Sequence, residues 1–171
     1  MTAMLVVLRP GEYFVGDARH RVRTLLGSCV SVTLWHARQR IGAMSHFLLA
    51  TRGEGARTDG PDPRYGDEAL QLMLAGLSAR NVVAAQCQAK IFGGGDMFPA
   101  HRNRAGMAVG RRNGEAARAL LQQHGIEVIS ESLFGAGHRQ IAFDIHSGHV
   151  WSRHVPLPHP PVRPAPERTS A

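Results

Sequence analysis

A chain of 171 residues, 43% hydrophobic and 19% charged, suits one globular domain with a full core, and no apolar run reaches the roughly 18 residues of a membrane span. The net charge of +7 is almost all arginine, scattered along the chain, and only 6% of residues are aromatic. That pattern argues against a nucleic-acid binder and for a solvated surface favouring an acidic partner.

Arg9, Pro10 and Gly11 interrupt the first apolar stretch, Leu5–Leu8, before a signal-peptide core develops. The expected location is therefore the cytoplasm, with no membrane insertion. In a reducing compartment the two cysteines, Cys29 and Cys87, form no disulfide and are too few for a zinc cluster. Each is either a small buried hydrophobe or a nucleophile, and a nucleophile needs a base beside it.

Strand signals fill the first third of the chain. Tyr13–Val15 follows a Pro-Gly turn, and Val22–Leu26 is extended until Gly27-Ser28 breaks it. Val30–Leu34 alternates and is rich in β-branched residues, and Ile41–Leu49 reads as its return strand across a polar connection at His36–Arg40. A polar Gly/Pro-rich loop spans Thr51–Arg64. Leu70, Met73, Leu74 and Leu77 then mark one face of a helix, with Asp67 and Glu68 at its start, where the helix dipole favours acids. A second helix carries Ala117, Leu120 and Leu121, with Asn113 as its expected N-cap and Gly125 as its stop.

Each helix precedes a strand, Gln88–Phe92 and Ile126–Glu131, and the stretch from Gly93 to Gly110 reads as a long loop. Gln140–Ile145 and His149–Val155 flank Ser147-Gly148 as a hairpin. The hairpins imply antiparallel pairing. The fold class expected is α+β: a layered α/β sandwich with a mostly antiparallel or mixed sheet and two main helices. The domain spans residues 1–156, and the Pro-rich stretch 157–171 is expected to be a disordered tail.

Chemistry concentrates around Cys29. The thiol lies directly after Gly27-Ser28, where a sharp turn presents it and leaves backbone N–H groups for a developing oxyanion. His46 sits on the return strand, within cross-strand reach if the register permits. Gly93-Gly94-Gly95 lacks the Gly-Lys-Ser/Thr of a phosphate loop and reads as close backbone packing. His146 and His149 straddle a turn and read as hairpin surface, and Cys87 as structural. Met97 and Phe98 are either substrate contacts or packed side chains.

Several fragments resemble the bacterial chemotaxis family CheD. They are Gly-Glu-Tyr at 11–13, Leu-Gly-Ser-Cys-Val at 26–30, Gly-Ala-Met-Ser-His-Phe at 42–47, Tyr65-Gly-Asp67, Ala-Lys-Ile-Phe-Gly-Gly-Gly at 89–95, Met97-Phe98 and Val-Gly-Arg-Arg-Asn at 109–113. They occur in the family's order, over roughly residues 9 to 155. The resemblance implies a protein-glutamine glutaminase that converts glutamine side chains of methyl-accepting chemotaxis proteins to glutamate, releasing ammonia through a Cys29 thioester. Family members also hydrolyse glutamyl methyl esters. The partners implied are chemoreceptor cytoplasmic domains and a CheC-type phosphatase; a non-catalytic regulatory partner of such a phosphatase is the alternative reading.

The family's Cys-His-Thr triad maps onto Cys29 and His46. The family's threonine position, six residues before the cysteine, holds Arg23 here, so Thr24, one residue on, is the expected third member. Gly27, Ser28 and Phe98 are the expected oxyanion or substrate-binding residues. No metal or organic cofactor is needed. A fold similar to the catalytic domain of cytotoxic necrotizing factor toxins is also implied.

Overall fold

The segment His20–Leu26 (β3) alternates strictly. Val22, Thr24 and Leu26 turn inward, and Arg23 and Leu25 turn to solvent. That alternation defines a half-buried strand, and the rest of the layering follows from it. The computed structural model describes residues 2–53, 55, 59–99 and 104–158.

β3 belongs to a four-stranded sheet with β1 (Met4–Val7), β8 (His138–Asp144) and β9 (Val150–Val155), in the order β1-β3-β8-β9. A five-stranded sheet has the order β2-β5-β4-β6-β7, with β2 at Tyr13–Asp17, β4 at Val30–His36, β5 at Ile41–Ser45, β6 at Gln88–Gly93 and β7 at Glu127–Leu133. Pairing is parallel for β1–β3 and β6–β7 and antiparallel elsewhere. The expected α+β layered sandwich with mixed sheets and two helices is therefore the observed one.

Two cores hold the layers. Val22, Leu26, Met44, Phe92, Ile141 and Phe143 fill the space between the sheets. Val32, Leu34 and Ile91 point to the other face of the five-stranded sheet. There they meet Leu70, Met73 and Leu77 of α1 (Gly66–Ser78) and Ala117 and Leu121 of α2 (Arg104–Gln123). The outer face of the four-stranded sheet carries exposed Leu5, Val7, Leu25 and Trp151.

Two expectations change. Asn113 is not an N-cap: α2 starts at Arg104, which shortens the expected loop, and Asn113 lies mid-helix at 1% exposure. Its cap-like chemistry serves a tertiary contact instead, as described below. The return strand also ends earlier than expected, at Ser45. The Val32 N–H bonds the Ser45 hydroxyl (3.3 Å) and so leaves the ladder, which resumes at the Val30–Phe47 bridge. Of the expected tail, residues 159–171 lie outside the described residues.

Phe143 is fully buried between the sheets. Phe143→Ala is expected to destabilise the fold by about 3–5 kcal/mol, read as a lowered urea midpoint.

Candidate active site

The turn that carries Cys29 links the two sheets, because β3 ends at Leu26 in one and β4 begins at Val30 in the other. Its carbonyls are all taken from the protein side. Gly95 N–H donates to Gly27 O (2.9 Å), Asn113 Nδ2 to Ser28 O (3.1 Å) and Gly94 N–H to Cys29 O (2.9 Å). Among the described residues there are no cis peptides. Across a trans peptide the C=O and the following N–H point oppositely. The amides of Ser28 and Cys29 therefore face away from these donors, on the open side of the turn.

The glycine run is what allows this approach. A Cβ on Gly93, whose φ is +109°, would meet Cys29 O at 2.2 Å, and one on Gly95 would meet Gly137 O at 2.4 Å. The run is close backbone packing, as its sequence suggested. Arg139, 4% exposed, holds it from behind by donating to Gly93 O (3.3 Å), Phe134 O (2.5 Å) and Ser132 Oγ (3.0 Å).

Register decides how Cys29 and His46 meet. Val30 pairs with Phe47 and Thr33 with Met44, so His46 stands opposite Ser31 and diagonal to Cys29. Val30 and Phe47 face the helices, which turns Cys29 and His46 together toward the space between the sheets. The sequence reading left this register open; a diagonal is longer than a direct pair but within reach of long side chains. His46 is fixed by its backbone, whose N–H donates to Glu12 O (3.0 Å) and whose O accepts from Gly11 N–H (2.8 Å).

Thr24 reaches His46 from the opposite sheet. Its Oγ1 lies 2.6 Å from His46 Nδ1 and 2.9 Å from Leu8 O. A hydroxyl has one proton, and the Leu8 carbonyl can only accept. The Thr24 proton therefore goes to Leu8, and Nδ1–H of His46 donates to Thr24. This leaves Nε2 as the unprotonated nitrogen. Thr24 faces inward, whereas Arg23, the residue before it, points to solvent.

Burial sets the protonation states. It pushes the Cys29 thiol above its ordinary range, with its own backbone amide opposing. Burial likewise lowers His46 to about 4, against a smaller opposing pull from Glu12. At neutral pH the pair rests as thiol and neutral imidazole, not as thiolate and imidazolium. Thr24 and His46 are buried, whereas Cys29 is partly exposed, so the imidazole lies deeper than the thiol.

Gly27 is overlain by Met97, which lies 3.1 Å from where its Cβ would be. Phe98, the next residue, is 71% exposed. Cys87 is buried, and its thiol is pushed up to about 11, as suits a structural cysteine. Asn113 and Arg139 were missed as site residues. For Asn113 a signal existed: it falls four residues before Ala117, on the apolar stripe, where a polar residue is out of place. The arginines prove less scattered than the sequence suggested, since Arg19, Arg21, Arg23 and Arg40 line one groove on the four-stranded sheet.

The family model for CheD, described as chemotactic sensory transduction, matches residues 48–154, more than half of the chain. The chain belongs to the CheD family. That match begins after Thr24, Cys29 and His46, but the full-length relatives extend further. A protein of Albidiferax ferrireducens named "Probable chemoreceptor glutamine deamidase CheD 2" is 60% identical over 150 residues, 88% of this chain and 87% of its own. Proteins named "Probable chemoreceptor glutamine deamidase CheD" in Pseudomonas savastanoi pv. phaseolicola and "CheD 3" in Dechloromonas aromatica are 44% and 42% identical, each covering 85% of the relative and 89% and 85% of this chain. Similarity to CheD thus spans both sheets and the turn between them, since 150 of 171 residues necessarily include 22–150.

Two measurements follow from the neutral pair. Iodoacetamide modification of Cys29, resolved by mass, should accelerate about tenfold per pH unit between pH 6 and 8. A rate plateau from pH 5 to 7 would instead reveal a preformed thiolate. His46 also links stability to pH. Its folded value of about 4 lies below the ordinary 6.5, so the unfolded chain binds more protons between these values. Stability is full above pH 6.5 and is lost as pH falls toward 4. Wild type should therefore lose about 2–3 kcal/mol more than His46→Gln between pH 7 and 4.5, measured by urea unfolding.

Proposed function

We propose that the protein is a chemoreceptor glutamine deamidase in which Cys29 is the nucleophile, His46 the general base and Thr24 the residue that fixes the imidazole. The Leu8–Thr24–His46 hydrogen-bond chain is the observation that carries this reading. It aims an unprotonated Nε2 toward the space His46 shares with Cys29, and the names of the relatives supply the substrate class.

The steps follow from the neutral resting pair. His46 Nε2 takes the thiol proton as Sγ bonds to the glutamine side-chain carbonyl carbon. The amides of Ser28 and Cys29, on the open side of the turn, donate to the oxyanion. Collapse breaks the C–N bond, and the imidazolium gives its proton to the departing ammonia. Water then attacks the thioester, His46 accepts its proton, and the thiol is released as glutamate forms. A methyl ester follows the same route with methanol leaving.

A partly exposed thiol suits a glutamine presented on another protein's surface, here a receptor cytoplasmic domain. Phe98, exposed beside the turn, is a substrate contact in this reading. Contact between Thr24 and His46 favours catalysis over the alternative of a non-catalytic partner for a CheC-type phosphatase. Kinship to the cytotoxic necrotizing factor catalytic domain belongs to the same proposal, supported by the shared use of a cysteine and a histidine.

The test is mass spectrometry of a chemoreceptor cytoplasmic fragment incubated with wild type, Cys29→Ala and Thr24→Val. Wild type should convert Gln to Glu, Cys29→Ala should not, and Thr24→Val should lose tenfold or more in kcat, about 1.4 kcal/mol of barrier per tenfold. No conversion by wild type on a competent receptor would favour the regulatory partner instead.

A further inference from the structure

Asn113 lies on the buried stripe of α2 with Ala117 and Leu121, 1% exposed. A polar side chain buried there costs stability unless its hydrogen bonds are met. Its Nδ2 donates twice, to Ser28 O at 3.1 Å and to Leu48 O at 2.8 Å. Both partners are carbonyls, so the nitrogen must face them, and both amide protons are used. One bond goes to the turn that carries Cys29, and the other to the strand extension two residues past His46.

The first bond has a chemical consequence. Pulling the Ser28 carbonyl toward α2 turns the Cys29 N–H, across the same trans peptide, to the open side of the turn. Among the described residues no backbone amide binds Ser28 O in its place: the N–H groups of Gly95 and Gly94 are taken by Gly27 O and Cys29 O. The bond to Leu48 anchors the Asn113 amide, so the peptide is held before substrate arrives. Preorganised donors of this kind contribute because they do not reorient during reaction.

We infer that Asn113 is a positioning residue that aims the Cys29 amide at the oxyanion of the tetrahedral intermediate. The inference rests on the deamidase reading, and Asn113 itself touches no reacting atom. Its loss should slow acyl transfer while leaving thiol reactivity alone, because alkylation of a thiol develops no oxyanion.

The experiment compares wild type, Cys29→Ala, Asn113→Leu and Asn113→Ala, each below its own melting temperature. Deamidation by wild type but not by Cys29→Ala first establishes the reading on which the inference rests. Each Asn113 variant should then lose about 100-fold in kcat. KM and the iodoacetamide rate at Cys29 should each stay within about threefold, a split that a merely loosened turn would not produce. Having two variants of different volume covers the case in which one fails to fold. Unchanged kcat in a folded variant, or kcat and alkylation falling together in both, would overturn the assignment.

Discussion

A single hydroxyl proton organises the site. Thr24 has one to give, and Leu8 O takes it, so His46 must donate through Nδ1 and keep Nε2 bare. The hydrogen-bond chain crosses from one sheet to the other, which ties the position of the His46 ring to the distance between the sheets. The inter-sheet core of Val22, Leu26, Met44, Phe92 and Phe143 therefore supports the site as well as the fold. Burial completes the arrangement by keeping the imidazole neutral well below its ordinary range, so that a base is available at neutral pH.

The second constraint is how closely backbone can approach backbone. The Cys29 turn has its carbonyls bound by a glycine loop and by a helix, and the bonds to Gly27 O and Ser28 O direct the amides of Ser28 and Cys29 outward. Gly93 and Gly95 have backbone oxygens where a side chain would begin. Arg139 lies beneath that loop, its guanidinium met by the carbonyls of Gly93 and Phe134 and the Ser132 hydroxyl. Burial lowers its pKa, but arginine starts so high that it stays charged.

Much of the fold was legible in the sequence because the β3 and β4–β5 segments alternate cleanly and Leu70, Met73 and Leu77 repeat at helical spacing. Turn chemistry also located the break at Gly27-Ser28. Asn113 was misread because asparagine is both a good cap and, when buried, a good bridge between carbonyls, and local sequence does not distinguish the two. The diagonal placement of Cys29 and His46 follows from the β4–β5 register, which runs unchanged from Thr33–Met44 to Val30–Phe47 and which the strand pattern alone does not fix. Arg139 escaped notice because a lone arginine in an alternating strand reads as surface, yet its position opposite Leu26 turns it inward. Arg23 and Thr24 take opposite faces of β3, since one residue along a strand exchanges its faces.

The most direct test is the tautomer of His46, read by nitrogen-detected NMR of selectively labelled histidine with His46→Gln to assign the signal. The expected result at pH 7 is a neutral ring protonated at Nδ1 and bare at Nε2, persisting to about pH 5. An imidazolium at pH 7, or a proton on Nε2, would contradict the hydrogen-bond chain from Leu8 through Thr24.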